Sequence, residues 1–76
     1  MHPCARVIID HYCIKVYFGD ALHIYVKRSS FLGLSSWSDG PSDYSIEFSL
    51  TDGSVLVEYD DPEKWLAILK LLDGVL

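Results

Sequence analysis

The stretch that decides the fold is Tyr44-Ser45-Ile46-Glu47-Phe48-Ser49-Leu50-Thr51-Asp52-Gly53-Ser54-Val55-Leu56-Val57-Glu58-Tyr59. Its first seven residues alternate apolar with polar, the two-residue period of a strand with one buried face. Asp52-Gly53 then supplies the pair that tolerates the positive backbone angles of a two-residue hairpin loop, and Val55 to Tyr59 makes the returning strand. With Asp52 and Gly53 as the loop, Leu50 pairs with Val55, Phe48 with Val57 and Ile46 with Tyr59, which gathers six large side chains on one side. The same register sets Glu47 opposite Glu58 on the outer side. Such a pair holds a cation or raises one carboxyl's affinity for a proton, or, as exposed like charges do, repels mildly and discourages edge pairing.

Working upstream, Ile14, Val16 and Phe18 alternate before Gly19-Asp20, and Leu22, Ile24 and Val26 alternate after it. A two-residue loop mismatches these sets. A three-residue loop, Gly19-Asp20-Ala21, pairs Phe18 with Leu22, Val16 with Ile24 and Ile14 with Val26. Tyr17 then faces His23, Lys15 faces Tyr25 and Cys13 faces Lys27 on the outer side. Val7 and Ile9 have the opposite parity, so the strand expected over about 5–18 must bulge or break near Asp10-His11-Tyr12.

Downstream, Asp61 suits the N-cap of a helix, Pro62 its first position and Glu63 the positive end of its dipole, with Gly74 as the stop. At 100° per residue Trp65, Ile68, Leu69 and Leu72 form one apolar stripe, with Trp65 expected as its central core residue, while Glu63, Ala67 and Lys70 point away. The expected elements are strands at about 5–18, 22–28, 44–50 and 54–60 and a helix at about 62–73. The fold class is α+β: a four- or five-stranded antiparallel meander with one C-terminal helix packed on one face. The long connection 29–43 exceeds the usual loop length and holds Phe31, Leu32, Leu34 and Trp37, so it hides a further strand or forms a contact loop anchored by Trp37.

The order of a sharp hairpin, the acidic link Asp60-Asp61-Pro62-Glu63 and a helix bearing Trp65 is similar to the closing segment of pleckstrin-homology-like domains, over residues 44–76 only. That resemblance implies an adaptor domain binding peptide or lipid headgroups. The basic lipid-binding loop of the family has no matching motif here, and a full domain of that kind needs more strands than the four or five expected.

Seventy-six residues make room for one domain and one core. Half of them are apolar, enough to fold and to leave apolar groups over for a partner or a second copy. Six basic against eleven acidic residues give a formal charge of −5, the wrong balance for a general phosphate binder, so nucleic acid is not the expected partner. The basic residues cluster all the same: Arg6, Lys15, Lys27 and Arg28 lie in the first half. Met1-His2-Pro3-Cys4 lacks the pattern of an export signal and no apolar run approaches the roughly 20 residues that cross a bilayer, so a cytoplasmic protein with reduced Cys4 and Cys13 is expected.

Two His-x-Cys pairs, His2/Cys4 and His11/Cys13, have the donors for a tetrahedral zinc. The intervening Arg6-Val7-Ile8-Ile9 has no Gly or Pro on which to turn, so no metal site and no cofactor are expected. No nucleophile motif, phosphate-binding glycine loop or His-Glu-x-x-His is present, and no catalytic residue is assigned. The expected function is therefore noncatalytic protein binding, by an accessory or inhibitor protein that pairs with a protein partner or self-associates as a homodimer. Phe31, Leu34 and Trp37 are its candidate contact residues. The alternative is a nucleic-acid or small-ligand binder using Lys15, Tyr17, His23 and Tyr25 on the open face of the first hairpin.

Overall fold

A computed structural model describes residues 5–76. Its elements are β1 (Ala5–Ile9), β2 (Cys13–Phe18), β3 (Ala21–Lys27), a single 3-10 turn (Arg28–Ser30), β4 (Phe31–Ser38), β5 (Tyr44–Leu50), β6 (Gly53–Tyr59) and α1 (Pro62–Val75). The architecture is α+β and antiparallel, but not a single meander of four or five strands. Six strands form two three-stranded sheets, in the orders β1-β2-β3 and β4-β5-β6. The inner faces of both sheets and one stripe of α1 enclose a common core of Ile14, Val16, Ile24, Val26, Ile46, Phe48, Tyr59, Ile68 and Leu72. No helix among the described residues is long and apolar enough to cross a membrane.

The first hairpin solves its parity problem differently from the three-residue loop expected. Gly19 takes φ +58, a left-handed conformation open to glycine, and the loop is two residues, Gly19 and Asp20. Phe18 therefore pairs with Ala21 and Tyr17 with Leu22, and a bulge at His23 restores the step so that Val16 meets Ile24 and Ile14 meets Val26. The extra residue lets Ile24 and Val26 face inward despite the short loop. Upstream, the chain breaks at Asp10–Tyr12 and β1 folds back on β2, pairing Val7 with Val16 and Ile9 with Ile14, so the expected strand over 5–18 is two strands.

The second hairpin keeps its faces and shifts its partners by two residues. Its loop is Thr51-Asp52, with Gly53 at φ +150 opening β6. Phe48 thus pairs with Val55, Ile46 with Val57 and Tyr44 with Tyr59. A shift of two preserves which side chains point inward, because the side-chain period is two. It does separate the two glutamates, for Glu47 lies opposite Leu56 and Glu58 opposite Ser45.

The connection 29–43 contains β4, which pairs with β5 through Leu34–Phe48, Ser36–Ile46 and Trp37–Ser45, with a bulge at Leu32. At the C-terminus, the Asp61 side chain accepts from the Glu63 amide at 2.9 Å, Pro62 sits at the helix start, and the helix runs through Gly74 to Val75 rather than stopping at Gly74. The helix bears on β1, β5 and β6, so it closes the gap between sheets instead of lying on one face. Ile68 and Leu72 are its buried residues. Trp65 is not the central core residue: it is half-buried, donating Nε1–H to the Ser45 carbonyl at 2.9 Å and packing its ring on Tyr44 with centroids 5.0 Å apart. Ala67 is half-buried too, not turned away.

Candidate partner-binding groove

β4 is hydrogen-bonded to β5 on one edge only, so among the described residues its other edge has no strand beside it. Its eight residues, Phe-Leu-Gly-Leu-Ser-Ser-Trp-Ser, include no charge and no proline, the usual devices that blunt an exposed edge. Between β4 and α1 runs a groove of about 550 Å³, lined from the strand by Phe31, Gly33, Leu34, Ser35 and Ser36 and from the helix side chiefly by Leu66, Leu69 and Leu76. Lys70 and Asp73 stand at its polar margin.

The three contact residues expected from sequence are split by this geometry. Phe31 and Leu34 line the groove, and both also pack against the core, with the Phe31 ring tilted on Phe48 at 6.2 Å. Trp37 lies one residue beyond Ser36, on the other side of the strand, and is 37 % exposed on the outer side of the β4–β6 sheet opposite Ser45. The helix contribution was missed in the sequence. The available signal was that α1 carries more leucine than one stripe needs, and Leu66 is 46 % exposed on its flank.

Of the alternative set, Lys15, Tyr17 and Tyr25 share the outer side of the first sheet and His23 leaves it. Lys15 and Tyr25 pair across β2 and β3, but the bulge gives Tyr17 Leu22 as its neighbour, and the Arg6 guanidinium covers the Tyr17 ring at 4.9 Å. His23 instead crosses to the other sheet, where its Nε2 lies 2.7 Å from the Tyr59 hydroxyl and its ring sits between Phe18 and Tyr59. Burial, with a smaller push from Lys64, holds the His23 imidazole below its ordinary 6.5, and burial raises the Tyr59 phenol to about 12.

Both shifts make stability depend on pH, with opposite signs. As pH falls through 6.5 the unfolded chain takes up a proton on His23 before the folded one does, so stability drops across that range. As pH rises past 10.0 the unfolded chain loses the Tyr59 proton first, and stability falls between there and about 12. Urea unfolding across the range should show a plateau near neutrality with both limbs descending. Tyr59→Phe should flatten the alkaline limb, and a limb unchanged in that variant would show that another group causes it.

At the β1–β2 turn the Asp10 carboxylate accepts from the amides of Tyr12 and Cys13 at 2.7 and 2.9 Å, and those bonds hold its carboxyl below the usual 3.8. The Cys13 thiol lies 3.5 Å from the same oxygen. Cys13 is a free, buried thiol, and burial together with the neighbouring carboxylate raises it above the ordinary 9.0. A thiol so placed stays protonated and is a poor nucleophile. In the folded protein Cys13 should label with a maleimide orders of magnitude more slowly than in urea, as peptide mass mapping reads; equal rates would contradict this environment. His2 and Cys4 of the zinc arrangement lie outside the described residues, and among the described residues no group of three or more potential ligands assembles.

Fold and groove together define a small two-sheet α+β domain with one open strand edge beside an apolar channel. Comparison with family models, with curated proteins and with solved structures finds no match, so none of them supports the resemblance of residues 44–76 to pleckstrin-homology-like domains.

Proposed function

We propose that the chain is a small noncatalytic protein-interaction module that receives its partner in the groove between β4 and α1. The observation that carries this reading is the juxtaposition of an uncharged strand edge with an apolar channel. An edge strand offers backbone donors and acceptors to an extended segment, and the channel beside it offers pockets to alternate side chains of that segment. Where the partner is a second copy, the same edge makes a homodimer by antiparallel pairing about a two-fold axis. An accessory or inhibitor role fits a module of this kind, and a cytoplasmic setting fits the reduced Cys13.

Leu66→Glu places a charge on the helix side of the groove at a position already partly in water, so the fold should survive while binding is lost. Affinity capture from the native host's lysate, alongside sedimentation equilibrium for self-association, should show the bound species with the parent chain and with Trp37→Ala but not with Leu66→Glu. Retention by Leu66→Glu with loss in Trp37→Ala would move the site to the outer side of the β4–β6 sheet.

A further inference from the structure

The charges of this protein are segregated in space as well as in sequence. Strands β1, β2 and β3 contain no aspartate or glutamate, whereas residues 29–76 hold nine of the eleven acidic groups and two of the six basic ones. The register puts the basic side chains of the first sheet on its outer side, where Arg6 is opposite Tyr17, Lys15 is flanked by Ile8 and Tyr25, and Lys27 is opposite Cys13. Between these cations stand three large apolar groups that the core does not use: Ile8 at 43 %, Leu22 at 53 % and Tyr25 at 51 % exposure. Inward-facing Ile14, Val16, Ile24 and Val26 already supply this sheet's share of the core, so the outer apolar groups contribute nothing to it.

We infer that the outer face of β1–β3 is a second docking surface, and that it takes an acidic and apolar patch of a partner protein. Charge complementarity selects the acidic partner: the three strands carry cations and no carboxylate. The sheet's two acids stand in its turns, Asp20 at one end and Asp10 at the other, where the Tyr12 and Cys13 amides hold the Asp10 carboxylate near Lys15. The mixture of tyrosine, arginine and aliphatic groups with acids depleted is the composition of a protein interface core. Two observations turn it away from polyanions. Arg6 already covers one face of the Tyr17 ring, which removes the stacking platform that bases need, and His23 has left the face for Tyr59. An extended polyanion or an anionic bilayer would also run on past the patch toward the acidic remainder of the molecule, whereas a protein's acidic patch is local and ends where the cations end.

This surface belongs to the other sheet from the β4–α1 groove, so it stands or falls independently of the groove. The probe is a synthetic peptide of roughly eight residues alternating glutamate with leucine, about the length of a strand, titrated into labelled protein while backbone amide shifts are recorded. Shifts should concentrate at Arg6, Ile8, Lys15, Tyr17 and Tyr25, and affinity should fall about fivefold or more between about 20 and about 300 mM salt. Lys27→Glu should weaken binding by a similar factor, and Tyr25→Ser, a neutral change at an exposed position, should weaken it as well. Lys64→Glu changes the net charge equally but lies on the helix, and it should leave the affinity as it was; Leu66→Glu should too. The inference is overturned by shifts confined to β4 and α1, by equal losses in Lys27→Glu and Lys64→Glu, by absence of binding at low salt, or by tighter binding of oligothymidylate or phosphatidylserine vesicles to this face.

Discussion

Phe48→Ala should cost about 3–5 kcal/mol, the range for emptying a fully buried aromatic site. The side chain has no exposed surface and sits on the central strand of its sheet, between Leu34 and Val55 and under the Phe31 ring. It also belongs to the cluster that joins both sheets to α1, so its removal loosens three layers at once. A 76-residue domain has roughly 4–11 kcal/mol of stability in total, at about 0.05–0.15 kcal/mol per residue. The variant should therefore be folded only marginally, with a midpoint lowered by roughly 15–30 °C in thermal unfolding. Phe31→Ala, at a half-buried position, should cost visibly less. A loss below about 2 kcal/mol for Phe48→Ala would mean that the core is not centred on this ring.

Ile68→Asp should abolish folding. Ile68 is wholly buried on α1 in the space between the sheets, and no cation lies in that cluster to receive a carboxylate. An unpartnered buried charge costs several kcal/mol even after relaxation, and neutralising it by proton uptake still leaves a polar group in an apolar cavity. The expected result is a chain without a cooperative urea transition and without dispersed amide resonances. The matched control is Leu71→Asp, three residues on and 36 % exposed, which should stay folded with a change of about 0.5 kcal/mol. Ile68→Val should cost about 1 kcal/mol and keep cooperativity. A folded, cooperative Ile68→Asp would show that α1 does not close the core as described.

Local periodicity made part of this legible. The inward sets Ile46, Phe48, Leu50 and Val55, Val57, Tyr59 were readable because a strand's side chains alternate whatever it pairs with. The Asp61-Pro62-Glu63 helix start was readable because a cap is satisfied within one turn. Exact partners were not: the second hairpin slipped by two residues without moving any side chain to the other face, so the hydrophobic pattern was blind to the slip. The first hairpin's bulge was hidden because a three-residue loop and a two-residue loop plus one extra strand residue place Ile24 and Val26 identically. Only His23 and Leu22 differ between them, and that difference carried His23 from the expected ligand face to Tyr59.

The groove belongs to the same limit. Phe31 and Leu34 were identifiable as apolar residues in a long connection, but Leu66, Leu69 and Leu76 join them only because α1, bearing on β1, β5 and β6, leaves a channel between itself and β4. What the chain's amino-acid order determined by itself was the second hairpin, the helix and the apolar sides of the strands it marked, since those properties repeat within a few residues; whether 29–43 holds a strand, and whether 5–18 is one strand or two, it left open. What the tertiary structure alone decided was the division into two sheets, the open edge at β4 and the channel between that edge and α1. Those depend on contacts between residues far apart in sequence, where no local period records the outcome.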